Sequence, residues 1–252
     1  MPTSLPASSS PMAVTVVIPT YNEFENIDAL VEEVLTLEPV PQVLIVDDSS
    51  PDGTGELADQ LAREHPGQVF VLHRTEKEGL GRAYIAGFQR ALELGSSHIA
   101  QMDADHSHRP SDLQIMIDVA AETGADLVLG SRYIAGGRTV GWPWHRKLIS
   151  RAGGFYAGTI LGVPIRDLTG GLKLWTSETL RDIDLMSIHS DGYSFQIETT
   201  YRALQRKHMV EQVPITFTDR VAGASKLSRR VVIEAALMVW PLRLRQFFRR
   251  PW

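Results

Sequence analysis

The 252-residue sequence predicts an α/β protein with a Rossmann-like, mostly parallel, doubly wound sheet and helices on both faces. Three observations predict it. Short β-branched runs alternate with helical apolar patterns as far as residue 131. Polar residues gather directly after those runs, where such sheets bind ligands. The composition, 43% hydrophobic and 22% charged, supplies a sizeable core and excludes disorder for most of the chain.

Residues 13–18 form a β-branched run that stops at Pro19, the pattern of a buried strand. A helix follows, with Ile27, Leu30, Val31, Val34 and Leu35 on one face. Residues 43–46 read as a second strand ending in Asp47 and Asp48, and a helix runs from Thr54 to about His65. Residues 69–72 give a third strand and 80–94 a helix, and the fourth strand, 97–102, runs into Asp103-Ala104-Asp105. Pro110 and Ser111 open a helix through Ala121. Residues 126–129 make a fifth strand, followed by Ser131 and Arg132.

The second half is less regular. Residues 134–144 form a Gly-rich loop containing Trp142 and Trp144, and 148–161 an apolar helix. A strand is expected over 171–175, a helix over 193–206, a strand over 209–217 and a polar loop over 218–226. Residues 228–252 read as a basic amphipathic C-terminal helix, part of the same domain and membrane-facing; residues 1–12, rich in Ser and Pro, read as a disordered lead.

Net charge is −5, which argues against nucleic acid as a partner. That average hides an asymmetry. From Asp219 to Trp252 there are eight basic and two acidic residues, a net +6, so the rest of the chain carries −11. A basic tail on an acidic body suits an anionic phospholipid surface. The absence of cysteine excludes disulfides and thiolate chemistry. No stretch reaches the ~20 apolar residues of a membrane span. The longest candidate, 231–242, is interrupted by Glu234 and ends at Pro241. The expectation is a protein that lies on a membrane without crossing it.

Asp103-Ala104-Asp105 is the strongest chemical signal. Two carboxylates one residue apart, just past a buried strand, can point at one hard divalent ion such as Mg²⁺ or Mn²⁺ and leave positions for phosphate oxygens. His106 and His108 alone do not make a zinc site, which wants three or four ligands. Asp48-Ser49-Ser50-Pro51-Asp52-Gly53 mimics the start of a calcium loop but follows a strand and contains proline. A tight turn is expected there, with Asp48 or Asp52 accepting backbone N–H groups. No dinucleotide glycine fingerprint follows the first strand, and no nucleophile elbow or Walker loop is present.

Taken together, the motifs resemble a known family. Pro19-Thr20-Tyr21-Asn22-Glu23, the run from Val46 to Thr54, and Asp103-Ala104-Asp105 resemble family 2 glycosyltransferases. Gly130-Ser131-Arg132-Tyr133, Arg166-Asp167-Leu168-Thr169-Gly170-Gly171 and Gly223-Ala224-Ser225-Lys226-Leu227 narrow the resemblance to polyprenol-phosphate (dolichol-phosphate) mannose synthases, over roughly residues 13 to 230. The sequence departs from that pattern at His106, where an aliphatic residue is common, and at Gly170-Gly171, where some members have Ser-Gly.

The resemblance implies a GT-A glycosyltransferase domain over 13–227 that moves mannose from GDP-mannose to a polyprenyl phosphate with inversion. It implies that Pro19, Tyr21, Glu23, Ile45 and Asp47 hold the guanosine and that Ala104 lies with them at the donor. Asp103 and Asp105 would take the metal, with Ser107 as a further ligand. Arg132, Arg220 and Lys226 would surround the donor phosphates, and Arg132, Arg166 and Arg220 the acceptor phosphate. Asp105, Arg132 and Arg220 are then the catalytic candidates.

An ionised phosphate acceptor needs no general base. Many hydroxyl-using relatives carry a Glu-Asp pair near the later helix, whereas this segment reads Ser194-Phe195-Gln196-Ile197-Glu198. The expected place of work is the cytosolic face of a membrane, peripherally bound, with a membrane-anchoring protein partner compatible with the same reading. The alternatives are a polyprenyl-phosphate glucose synthase using UDP-glucose, a non-catalytic lipid-phosphate or nucleotide-binding scaffold, and a sugar nucleotidyltransferase, which usually carries a glycine-rich basic loop after its first strand.

Overall fold

The computed structural model describes residues 12–219 and 237–244. The first half follows the alternating pattern: β1 (Val14–Thr20), α1 (Ile27–Val34), β2 (Gln42–Asp47), α2 (Thr54–Glu64), β3 (Val69–His73), α3 (Leu80–Glu93), β4 (His98–Gln101), α4 (Pro110–Thr123) and β5 (Leu127–Ser131). Then come β6 (Arg138–Val140), α5 (Trp144–Leu161), β7 (Lys173–Thr176), α6 (Ser177–Asp182), a 3₁₀ turn, α7 (Gly192–Gln205), β8 (Val210–Pro214) and β9 (Thr216–Thr218).

Among the described residues seven strands form one sheet in the order β3-β2-β1-β4-β7-β5-β8. All neighbours are parallel except β7, which runs antiparallel to both β4 and β5. Strand order reverses at β1: β2 lies on one side and β4 on the other. Helices cannot cover the carboxyl ends at such a reversal, so a crevice opens between the loops after β1 and β4.

Side-chain alternation along each strand feeds two cores. Val16 and Ile18 of β1, with Val43 and Ile45 of β2, face α1, α2 and α4, where Leu30, Leu61 and Leu113 are buried. Val17, Leu44 and Val46 face the other way, against Tyr84 and Phe88 of α3, Ala157 of α5 and Phe195 of α7. Full burial of each such Val, Leu or Ile contributes about 1.5–3 kcal/mol. The runs are continuously apolar because both faces of the sheet are covered.

The second half differs from expectation in its element boundaries, and α6 was not expected. α5 starts at Trp144, inside the stretch expected as loop, and β6 occupies part of that loop beside β9. The single strand expected over 209–217 is two, because Ile215 leaves the main sheet and β9 joins β6. Residues 237–244, within the stretch expected as the C-terminal helix, are helical through the exposed Pro241. Residues 1–11 of the lead expected over 1–12 and most of the basic helix expected over 228–252 lie outside the described residues. No helix among the described residues is long and apolar enough to cross a membrane.

α3 lies unusually close to the sheet. A Cβ at Gly87 would fall inside contact distance of Val17 Cγ1 and 3.0 Å from Val46 Cγ2, both in fully buried strands. Gly87→Ala should therefore cost about 1–3 kcal/mol through overpacking, despite the better helix propensity of alanine. Urea unfolding of the variant checks this; an unchanged midpoint would mean that the helix shifts without cost.

Candidate active site

The crevice at the strand reversal is a cleft of about 350 Å³. Its walls include the end of β1 and the loop after it (Pro19, Tyr21, Glu23), the loop after β4 (Asp103, Ala104, Asp105, Ser107), the residue after β5 (Arg132) and the start of α7 (Tyr193, Gln196). Widely separated stretches of sequence thus meet in one place.

The Asp103–His108 loop is held by its own backbone. Ser107 N–H donates to Asp105 Oδ1 at 3.1 Å, and Asp103 N–H donates to His108 Nδ1 at 3.3 Å. His106 adopts φ +54°, a left-handed conformation that non-glycine residues take only when their surroundings hold them there. Its Nε2 lies 3.1 Å from the carbonyl of Asn26. Tyr84 OH donates to Asp103 Oδ1 at 3.0 Å, and burial beside the two carboxylates pushes its phenol well above the usual range. Tyr84 is stacked in turn on Phe195 of α7.

These residues fit a hard divalent cation. The donors are carboxylate oxygens, and the buried hydroxyl of Ser107 has no hydrogen-bond partner among the described residues. Asp103 and Asp105 would hold such an ion, with Ser107 as a third oxygen. Among the described residues no group of three His, Cys, Asp or Glu forms a metal cluster, so phosphate or water oxygens would complete the shell. Neither histidine is directed to a shared ion with the aspartates: His106 reaches α1 and His108 is buried against Phe217.

Arg132 is buried and paired with buried Asp167. Its Nε donates to Asp167 Oδ2 at 2.7 Å and Nη2 to Oδ1 at 2.6 Å, and Arg132 N–H donates to Oδ2 at 3.0 Å. Nη2 also donates to Thr169 Oγ1 at 2.9 Å. Burial opposes both charges, but each stabilises the other: the pair raises the Arg132 pKa and lowers that of Asp167. The rings of Tyr133, Trp142 and Phe217 stand 5.2–5.5 Å from the guanidinium, a cation–π cage.

The other predicted residues divide. Pro19, Tyr21, Glu23, Ala104 and Ser107 line the cleft. Ile45 does not: it is fully buried on the α1–α2 face of β2, so its side chain is unavailable to a nucleotide. Asp47 does not line it either. Its Oδ1 accepts from Thr20 Oγ1 at 3.1 Å and from Ser50 Oγ, and its Oδ2 from Ser50 N–H, so it braces the loop behind the cleft. The following Asp48 lines the cleft and pairs with Arg74. Asp52 makes the expected tight turn, accepting N–H groups of Thr54 at 3.1 Å and Phe24 at 3.3 Å. Arg166 is exposed and absent from the cleft wall; its neighbour Asp167 is the residue bound into the site. Arg220 and Lys226 lie outside the described residues.

Two cations went unsuspected. Lys77 Nζ sits 3.5 Å from the ring centroid of Tyr21. Arg146 stacks 4.1 Å from the Trp142 ring and pairs with Asp219 at 2.8 Å. Both line the cleft, yet neither stands in a motif. Arg146 follows Trp144 at the start of α5, whereas nothing in the sequence around Lys77 marks it. Glu198, the carboxylate of the Ser194–Glu198 segment, is absent from the cleft wall: Oε1 accepts from Arg202 Nε at 3.0 Å and Oε2 from Ser190 Oγ at 2.6 Å. Asp191, just before α7, does line the cleft, and its Oδ1 accepts from Gly81 N–H at 2.6 Å.

Residues 15–184 match the family model described as glycosyl transferase family 2. The chain is 47% identical over 241 residues to a polyprenol monophosphomannose synthase of Mycolicibacterium smegmatis, covering 94% of this chain and 91% of that protein. It is 46% identical over 236 residues to an undecaprenyl-phosphate mannosyltransferase of Micrococcus luteus, covering 93% and 96%. Among solved structures, a mannosyltransferase from Pyrobaculum calidifontis in complex with GDP-Man and Mn²⁺ superposes with a TM-score of 0.63 at 17% identity, over 96% of this chain and 68% of that one. Glucosyl-3-phosphoglycerate synthase from Mycobacterium tuberculosis, with Mn²⁺ and UDP bound, gives 0.65 at 16% identity, over 92% and 80%. At those identities the likeness is one of fold, and the expected GT-A architecture is borne out.

Removing the Asp167 carboxylate would leave a buried guanidinium unpaired, so Asp167→Ala should lose about 3–5 kcal/mol at neutral pH. The sign with pH follows from the lowered Asp167 pKa. Its contribution is complete above the unfolded value of about 3.9 and is lost as pH falls through the folded one. Urea melts from neutral pH downward should show the gap between native and variant narrowing only below about pH 4. A gap that stays constant well below pH 4 would contradict the pairing.

Proposed function

We propose, for a chain that belongs to glycosyl transferase family 2, that it transfers mannose from GDP-mannose to a polyprenyl phosphate with inversion, giving polyprenyl-phosphate mannose. The single observation that carries this reading is the convergence of Asp103, Asp105 and the caged Arg132 on one cleft at the strand reversal. The near-full-length relatives at 46–47% identity supply the sugar and the lipid class.

A divalent ion, Mg²⁺ or Mn²⁺, would supply Lewis-acid stabilisation of the diphosphate leaving group. Asp103 and Asp105 would hold it, with Ser107. Pro19, Tyr21 and Glu23 suit the nucleoside, and Lys77 beside Tyr21 adds a cation on the same wall. Arg132 and Arg146 present positive charge to the phosphates, Arg132 in a geometry its ion pair holds fixed. Arg220 and Lys226 join this set by motif alone. The acceptor phosphate attacks opposite the departing GDP, so an α-linked donor yields a β-linked product. An ionised phosphate needs no base.

The acceptor's lipid tail calls for an apolar surface beside the cleft. α5 carries exposed Trp144, Leu148 and Phe155, on the helix whose Arg146 lines the cleft. Residues 237–244 pack against α5 through Trp240 Nε1, which donates to Tyr156 OH at 2.9 Å, and add exposed Leu237, Trp240 and Leu244. Apolar and aromatic side chains with Arg151 and Arg243 nearby suit the interface of an anionic leaflet. Peripheral attachment at the cytosolic face is our reading of this surface; an anchoring protein partner would add to it.

Transfer of label from radiolabelled GDP-mannose to a short polyprenyl phosphate should be metal-dependent and lipid-extractable. Asp105→Asn should lower kcat/KM by about 10²–10⁴-fold. Turnover of UDP-glucose with GDP-mannose inert would replace mannose by glucose in this reading.

Flotation with anionic vesicles tests the surface. The double variant Trp144→Ser, Phe155→Ser should partition about tenfold less, from the apolar area it no longer buries. Equal flotation would remove α5 from the membrane contact.

A further inference from the structure

Trp175 of β7, Gln101 of β4 and Gln196 of α7 form a buried hydrogen-bond relay with a fixed direction. An indole N–H can only donate. Trp175 Nε1 gives its proton to Gln101 Oε1 at 3.1 Å, which settles the orientation of that amide. Gln101 Nε2 therefore donates to Gln196 Oε1 at 2.8 Å. The second glutamine inherits its orientation: the oxygen is engaged, and Nε2 keeps both protons to give. Among the described residues nothing accepts them.

The relay is rigid. Trp175 and Gln101 are 0% exposed and Gln196 3%. Lys173 Nζ pins the same turn of α7, donating to the Gln196 carbonyl at 2.8 Å. Gln196 nevertheless lines the cleft, and Gln101 stands two residues before Asp103 on the strand that delivers the carboxylate pair. A neutral amide at that place presents donors and no acceptor.

We propose that Gln196 Nε2 is a specificity-determining donor to one hydroxyl oxygen of the transferred sugar, oriented by Trp175 and Gln101. This rests on the nucleotide-sugar reading above. The cleft already offers Lys77, Arg132 and Arg146 to phosphate charge. An uncharged donor held in place matches a neutral hydroxyl and penalises a sugar that lacks it, because the buried amide is then left unpaired.

The test compares binding of GDP-mannose, its four monodeoxy analogues and GDP alone, with Mn²⁺ present, by calorimetry. In the native enzyme one analogue should bind about tenfold or more weaker than GDP-mannose. Gln196→Glu keeps the acceptor that Gln101 needs and deletes the donor; Gln196→Met deletes both without the added charge. In each, that analogue and GDP-mannose should bind alike. Trp175→Phe leaves both glutamines but removes the direction of the relay, and should shrink the same penalty while the affinity for GDP stays unchanged. A penalty that persists in all three variants overturns the proposal, as does a fall in GDP affinity with the penalty intact, which would mark a structural role. Native enzyme that turns over GDP-mannose yet shows no deoxy penalty overturns the proposal and leaves the proposed function standing. Failure to bind GDP-mannose at all would instead overturn the donor reading.

Discussion

The buried pair of Arg132 and Asp167 is the constraint around which the second half of the chain is arranged. Two opposite charges taken out of water cost several kcal/mol each unless every donor and acceptor is met. Here Asp167 receives three hydrogen bonds from Arg132, and Thr169 takes a further proton. That geometry requires the end of β5 and the loop after α5 to lie side by side. β7 then starts four residues beyond Thr169 and inserts between β4 and β5, which explains why this strand runs against its neighbours. The aromatic cage of Tyr133, Trp142 and Phe217 closes over the guanidinium from β5, the loop before α5 and β9. One ion pair thus brings together four segments that share no sequence pattern.

Much of the first half was legible because local rules and tertiary structure agree there. A β-branched run ended by a proline, then an amphipathic helix, has few alternatives once the pattern repeats. The crevice followed from the same alternation, since it puts every strand's carboxyl end on one side. That Asp103 and Asp105 gather at one crevice was readable for that reason, as was the position of Tyr21 and Glu23 on its wall.

Legibility failed where a motif was read as a unit and strand alternation was ignored. Ile45 belongs to a recognisable run, yet the two-residue period of β2 sends it with Val43 toward α1 and α2. Asp47 and Asp48 are adjacent carboxylates, and the sequence offered no way to tell which braces the loop and which faces the cleft. Arg166 and Asp167 posed the same choice; the cation drew attention, although the carboxylate is the residue that Arg132 needs. Lys77 and Arg146 were unreadable because their partners, the rings of Tyr21 and Trp142, are brought to them by loops whose course no local pattern dictates.

α5 joins the two halves of the substrate problem. A polyprenyl phosphate is an anion on an apolar chain, and the two ends demand opposite surroundings. Trp144 and Arg146 are two residues apart at the start of α5, so they project to different sides of it. Arg146 lines the cleft over Trp142, while Trp144, and Leu148 one turn on, stand exposed. A membrane surface meeting that exposed side would therefore lie against the cleft wall itself. The lipid would need to raise only its phosphate from the headgroup layer, while its chain remained in surroundings as apolar as those it left. Placing the cation and the apolar side chains on one rigid helix avoids extracting the chain into water, a cost of about 0.8 kcal/mol for each CH₂ exposed.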